Sequence, residues 1–267
     1  MIITHDNFYM PQLDRTRTIR VLLPQNYDNQ RPFPVLYMQD GQNLFDPATS
    51  FSGDWKIPRT METLAAQKQA IIVGIDNGGD ARMSEYAPFP RGKNGGGEGD
   101  KYVRFIIETL KPFIDSEYRA LPDRNSTGIA GSSLGGLIAF YAGVKYGSVF
   151  GKVGVLSPAL WFNPKVLDLV NPSLEFKSKF YVLASKTESR MMEKTLENVY
   201  WAFKNGGFSD ENFQVTVRDR GKHNEIFWSR EFKKMYEFLF CWKKHPLSIL
   251  AFFGYFAALM FEVVGEE

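Results

Sequence analysis

The chain has 267 residues, 44% of them hydrophobic and 23% charged, with a formal net charge of +2. That is enough apolar material for a large core in a single α/β unit, and a near-balanced charge without a long basic run or aromatic–basic interleaving argues against nucleic-acid binding. A single cysteine, Cys241, excludes an intramolecular disulfide framework and supplies no metal cluster. The first residues, Met1-Ile2-Ile3-Thr4-His5-Asp6, show no basic region followed by an apolar one. No secretory signal is read there, and a cytoplasmic location is expected.

In chain order, Thr16 to Leu23 alternates and reads as a strand, closed by Pro24-Gln25-Asn26-Tyr27. Val35 to Met38 is the next strand, and it ends in Asp40-Gly41-Gln42-Asn43-Leu44-Phe45. Ile57 to Gln67 reads as a helix over the sheet. Ala70 to Ile75 is a continuous apolar run, as expected of a strand covered on both faces. The glycine-rich stretch Arg91 to Asp100 lacks the Gly-Lys-Ser/Thr ending of a phosphate loop and reads as a loop bordering a site. Tyr102 to Phe113 follows as a helix. Asn125 to Ala130, Gly151 to Leu156, Phe180 to Ser185 and Phe213 to Val217 read as further strands, and Glu225 to Phe240 as a helix. Strands alternating with helices predict a mostly parallel sheet with helices on both faces and right-handed crossovers, with early antiparallel strands at one edge.

The stretch Gly131-Ser132-Ser133-Leu134-Gly135 carries the chemistry. It reads G-x-S-x-G between a short strand and a helical run, the setting of a nucleophile elbow: the serine is lifted out of the fold, and small neighbours let strand and helix backbones pass closely. A glycine-rich helix N-terminus capped by serine is the alternative. Of the three histidines, His5 precedes the core pattern and His245 follows the last helix. His223, on a loop after the last strand, is the candidate base for Ser133. The first carboxylate after the strand between them is Glu188, placed to accept the Nδ1 hydrogen of His223 and fix its tautomer; its alternative role is a helix-start carboxylate favoured by the macrodipole. Glu193 and Asp210 are weaker candidates for the acid. For the oxyanion, one N–H would come from Leu134 and the other from Gly41 or Gln42 after the early central strand. Trp161 and Phe162 follow another central strand and could wall an acyl or aromatic pocket, or simply pack in the core.

Four runs carry a family likeness: Val35 to Phe45, Arg82-Met83-Ser84-Glu85-Tyr86-Ala87-Pro88, Ile129 to Gly136, and Leu156-Ser157-Pro158-Ala159-Leu160-Trp161. In this order they resemble the esterase D-like family within the α/β-hydrolase fold, over roughly residues 1 to 240. That family includes enterochelin-type siderophore esterases, feruloyl esterases, S-formylglutathione hydrolase and mycolyltransferases. The resemblance implies Ser133 as nucleophile, His223 as base, Glu188 as acid, and a substrate-side loop carrying Arg82 and Tyr86. In the family the acid varies between Asp and Glu, and some members use a serine–histidine pair.

These readings converge on an α/β-hydrolase domain over residues 1–242 and a serine carboxylesterase acting on a small or aryl ester, with no metal or organic cofactor. An acyltransferase on the same scaffold, or a non-catalytic membrane-tethered binding protein, are the competing readings. Residues 243–267 stand apart. Leu247 to Phe261 is almost wholly apolar and is expected to be helical. It is shorter than the ~20 residues of a usual membrane span. Subunit contact in a homo-oligomer, membrane association and packing on the domain itself are the three roles it could serve.

Overall fold

A computed structural model describes residues 1–28, 31–51, 53–92 and 95–240. The tail expectations, including Cys241, His245 and the segment from Leu247 to Phe261, lie outside the described residues.

The strands are β1 (Ile2–Met10), β2 (Arg15–Leu22), β3 (Val35–Gln39), β4 (Ile71–Ile75), β5 (Thr127–Ser132), β6 (Lys152–Leu156), β7 (Lys179–Ser185) and β8 (Phe213–Arg218). They form one sheet in the order β1-β2-β4-β3-β5-β6-β7-β8. β2 pairs antiparallel with β1 and β4, and β3 to β8 pair parallel throughout. The helices are α1 (Ile57–Glu62), α2 (Arg82–Glu85), α3 (Gly99–Phe105), α4 (Lys111–Glu117), α5 (Leu134–Lys145), α6 (Met192–Asn205) and α7 (Glu225–Phe240). Buried residues of α3, α4, α5 and α6 pack one face of the sheet, and those of α1 and α7 the other. Along β3 the period of two shows directly: Val35 and Tyr37 enter the first layer, Leu36 and Met38 the second. Both faces being covered, the central strands β3, β4 and β5 are buried along their whole length. This is the expected α/β-hydrolase architecture.

Three elements depart from the expectation. β1 was not legible because its alternation breaks: the pairing with β2 shifts register between His5 and Phe8, with Asn7 at φ 55°. This bulge moves later side chains to the other face. The helix expected over Ile57 to Gln67 ends at Glu62. The buried Gln69 amide donates to the Met61 and Leu64 carbonyls at 3.0 and 3.1 Å, supplying the donors a further helical turn would have given. The run from Gly99 to Glu117 stays helical but widens to i→i+5 bonding over Ile106–Leu110. Pro112, at the start of α4, has no N–H to offer the preceding turn.

Candidate active site

All the parallel strands present their carboxyl ends at one edge, and the candidate residues follow those ends. Ser133 comes after β5, Asp40 to Gln42 after β3, Ser157 after β6, Glu188 after β7, and His223 after β8. In an open α/β sheet this edge is where ligands bind.

Ser133 sits on a strained turn, with φ 56° and ψ −123°, a backbone conformation that costs a non-glycine residue about 1–3 kcal/mol and persists only when its surroundings hold it. Neighbouring segments do so here. Its N–H donates to the Leu156 carbonyl at 3.0 Å, and its carbonyl accepts from Leu137 and Ala159, each at 3.0 Å. A Cβ on Gly131 would lie 2.5 Å from the Gly135 carbonyl oxygen, so strand and helix can cross here only with glycine. The Ser133 side chain makes no capping bond to α5, which removes the helix-capping alternative.

Glu188 and His223 are brought together across 35 residues of chain: Oε2 lies 2.8 Å from Nδ1. The Glu188 side chain is 1% exposed and that of His223 41%. The other carboxylate oxygen, Oε1, accepts from the Ser185 N–H at 2.7 Å and from the Ser157 hydroxyl at 2.9 Å. The loops carrying Glu188 and His223 are tied by Thr187, whose Oγ1 donates to the Gly221 carbonyl at 2.6 Å and accepts its N–H at 3.1 Å. Asn224 caps α7, its Oδ1 accepting the Phe227 N–H at 3.1 Å, and so ends the loop of His223. Trp228, one turn into α7, meets the imidazole edge-on with ring centroids 5.0 Å apart. Ser133 and His223 lie on the same edge, and no hydrogen bond joins them among the described residues. The weaker acid candidates are elsewhere engaged: Glu193 lies 3.9 Å from Lys186, and Asp210 pairs with Lys204 at 3.0 Å.

The turn after β3 is built from charge. Asp40 takes a left-handed conformation, φ 56°. Its carboxylate receives Arg82 in a two-pronged pair, 2.7 and 2.9 Å, and Asn77 Nδ2 at 2.8 Å. Burial alone would lower the Arg82 pKa, but the bond and charge of Asp40 outweigh it and hold the guanidinium above its ordinary range. Gly41 is required by contact: a Cβ there would fall 2.7 Å from Gly74 C and from Ile75 N, both backbone atoms of β4. Gln42 is pinned from both sides, its Oε1 accepting the Asn77 N–H at 3.1 Å and its carbonyl accepting Thr49 Oγ1 at 2.8 Å. Asn43 reaches across to Glu225 at the start of α7, 3.3 Å, linking this turn to the histidine loop.

Two residues expected on the substrate side, Arg82 and Tyr86, are engaged by the turn after β3. Tyr86 is fully buried, and its hydroxyl accepts the Asp40 N–H at 3.2 Å. Burial first, and then the Asp40 charge, raise its pKa. It supports the turn from within the core. Arg82 likewise spends its guanidinium on Asp40 and stacks over Tyr86 at 5.1 Å. Trp161 is 65% exposed, with the Arg91 guanidinium 5.1 Å above its ring and 5.0 Å from that of the buried Phe162. The glycine-rich stretch folds back through Gly97 N–H to the Ala87 carbonyl at 2.8 Å. His5 is structural: Nε2 lies 2.6 Å from the Tyr118 hydroxyl, on the far strand of the sheet. The sequence reading assigned no role to Ser157 or Trp228; a polar residue directly after the buried run Val153 to Leu156 was the available signal for Ser157. Among the described residues no group of three or more His, Cys, Asp or Glu side chains is assembled, and no helix is long and apolar enough to cross a membrane.

Residues 11–234 match the family described as "Putative esterase". The uncharacterized protein YbbA of Bacillus subtilis is 26% identical over 243 residues, covering 84% of this chain and 92% of that one. An endo-1,4-beta-xylanase/feruloyl esterase of Xylanibacter ruminicola is 26% identical over 254 residues, 89% of this chain but only 32% of its own length. Among solved structures, the enterobactin esterase of Shigella flexneri superposes with a TM-score of 0.70 at 18% identity, over 90% of this chain and 58% of that one. With the family matched across most of its length and the fold shared, this chain belongs to the "Putative esterase" family and is a carboxylic ester hydrolase of the α/β-hydrolase fold.

Proposed function

We propose that the protein is a serine carboxylesterase in which Ser133, His223 and Glu188 form the catalytic triad. The observation that carries this is the 2.8 Å pairing of His223 Nδ1 with the buried Glu188 carboxylate, on the edge where Ser133 is held in its strained turn. A carboxylate on Nδ1 keeps the Nδ1–H tautomer, which leaves Nε2 free to accept the serine proton. Ser133 Oγ attacks the ester carbonyl as His223 takes its proton. The developing oxyanion is met by the N–H of Leu134, at the N-terminus of α5, and by that of Gly41 or Gln42. His223 then protonates the leaving alcohol, and water, activated by the same imidazole, releases the acid from the acyl-serine. The Ser133–His223 bond closes when substrate occupies the site, as catalytic hydrogen bonds commonly do. Every step uses groups of this chain.

For the substrate we infer a small or aryl acyl ester. Exposed Phe51, Trp161, Met191 and Ile226 follow β3, β6, β7 and β8, giving the catalytic edge an apolar rim. Relatives named as feruloyl and salmochelin esterases favour the same class. The test is labelling with a fluorophosphonate probe, followed by turnover of an activated aryl ester. The wild type should be labelled at Ser133 and hydrolyse the ester. Ser133→Ala should stay folded, escape labelling and lose on the order of 10³-fold or more in kcat. Near-normal turnover by a folded Ser133→Ala chain refutes the assignment.

A further inference from the structure

We infer that Ser157 and Trp228 are positioning residues that lock the Glu188 carboxylate onto His223; the inference rests on the triad proposed above. Ser157 follows β6 in a left-handed conformation, φ 44°, and is fully buried. Its backbone N–H is fixed to the Leu183 carbonyl at 2.6 Å. Its hydroxyl has two partners: Trp228 Nε1 at 2.8 Å and Glu188 Oε1 at 2.9 Å.

An indole N–H can only donate. It therefore occupies a lone pair of the Ser157 oxygen and leaves the hydroxyl hydrogen to point at the carboxylate. The rotor of Ser157 is set by chemistry, and the direction of every bond follows: Trp228 N–H to Ser157, Ser157 O–H to Glu188, and His223 Nδ1–H to Glu188. Together with the Ser185 N–H, Ser157 fills Oε1, and so Oε2 is the oxygen turned to the imidazole. The ring closes on itself, because the same indole packs edge-on against His223 at 5.0 Å and is held from behind by Trp55, ring centroids 6.0 Å apart. One side chain thus packs against the base and, through a single hydroxyl, orients the acid. A carboxylate with one oxygen saturated by two donors cannot rotate its other oxygen away from His223 without breaking bonds in a buried site, where they are strongest.

The experiment is a double-mutant cycle on Ser157→Ala and Trp228→Phe, with active sites counted by fluorophosphonate titration so that misfolded protein drops out of kcat. Ser157→Ala deletes a hydrogen bond to a charged group, and kcat is expected to fall about 10- to 100-fold, with KM within about twofold. Trp228→Phe keeps an aromatic ring but frees the hydroxyl to turn, and a loss of roughly 3- to 10-fold is expected. Since both act through one hydroxyl, the double variant should match Ser157→Ala within about twofold and fall well short of the product of the singles. The downfield proton resonance of the His223–Glu188 bond should shift in Ser157→Ala. Multiplicative losses, a loss confined to KM, or Ser157→Ala with wild-type kcat per labelled site each overturn the inference while leaving the triad standing. Failure of the wild type to label at Ser133 overturns the triad and this inference with it.

Discussion

The sharpest test of the proposed triad is Glu188→Gln, because the surroundings of Glu188 dictate how the amide must sit. Oε1 accepts two donors, Ser185 N–H at 2.7 Å and the Ser157 hydroxyl at 2.9 Å. The amide oxygen of glutamine has to take that place, since the NH₂ group there would face a backbone N–H at hydrogen-bonding distance, donor against donor. The NH₂ then points at His223 Nδ1, where Oε2 stood at 2.8 Å. A donor facing Nδ1 forces the imidazole into the Nε2–H tautomer, which cannot accept the proton of Ser133. Loss of the correct tautomer at an acid–histidine pair is worth about 10⁴-fold in kcat in the serine-protease precedent. We therefore expect about 10³- to 10⁴-fold here, equivalent to roughly 4–5.5 kcal/mol of barrier. Thermal stability should change little, because both donors to Oε1 stay satisfied. Glu188→Ala should show the opposite balance. It imposes no wrong tautomer and costs less in kcat per active site, but it strands the Ser157 and Ser185 donors, at about 1–3 kcal/mol each. The assay is kcat/KM on an activated aryl ester with urea unfolding of each variant, and Glu193→Gln, whose carboxylate is solvated at 46% exposure, as a control expected within twofold of wild type. A folded Glu188→Gln chain within tenfold of wild type refutes the reasoning.

Gly41→Ala drives a methyl to 2.7 Å from the β4 backbone. It is expected to lose about 1–3 kcal/mol of unfolding free energy and about 10²-fold in kcat by shifting an oxyanion donor; unchanged turnover would remove this turn from the site. Asp100 gives a pH signature: burial alone would raise its pKa, but hydrogen bonds from Lys145, Tyr146 and Tyr141 prevail and bring it from 3.8 down to about 2. A depressed carboxylate stabilises the fold above its unfolded pKa and ceases to as pH falls through the folded one. The Tm difference between wild type and Asp100→Asn should therefore be full near neutrality and shrink between about pH 4 and pH 2; a gap constant across that window contradicts the linkage. Deleting residues 246–267 is expected to change the oligomeric state seen by light scattering and to leave fluorophosphonate labelling of Ser133 intact, whereas a full-length chain that partitions into membranes and is released by the truncation would favour the anchor reading.

Much of this protein was legible one residue at a time, because the constraints concerned are local. A parallel strand covered on both faces must be apolar throughout, which is why Ile71–Ile75 and Lys179–Ser185 could be read as strands. A strand turning at once into a helix needs glycine where the backbones cross, which is why Gly131 and Gly135 announced Ser133. His223 could be ranked above His5 by its place after the last strand, and Glu188 above Glu193 by its place directly after β7. The remainder depends on distance in the chain. The bulge at Asn7 hid β1 because alternation is a signal only while register holds. Arg82 and Tyr86 read as substrate-side residues, yet one is spent on Asp40, 42 residues away, and the other is wholly buried. Whether a polar side chain faces solvent or supports a turn is set by what packs over it, and its own neighbours in sequence do not encode that. The hydrogen bonds of Ser157, to Glu188 across 31 residues and to Trp228 across 71, exist only because the ends of β6 and β7 are adjacent and α7 lies across them. The sequence by itself determined which residues could perform the chemistry. The tertiary structure decided which of those candidates are held together, because orientation at a buried carboxylate comes from donors that the chain brings together only on folding.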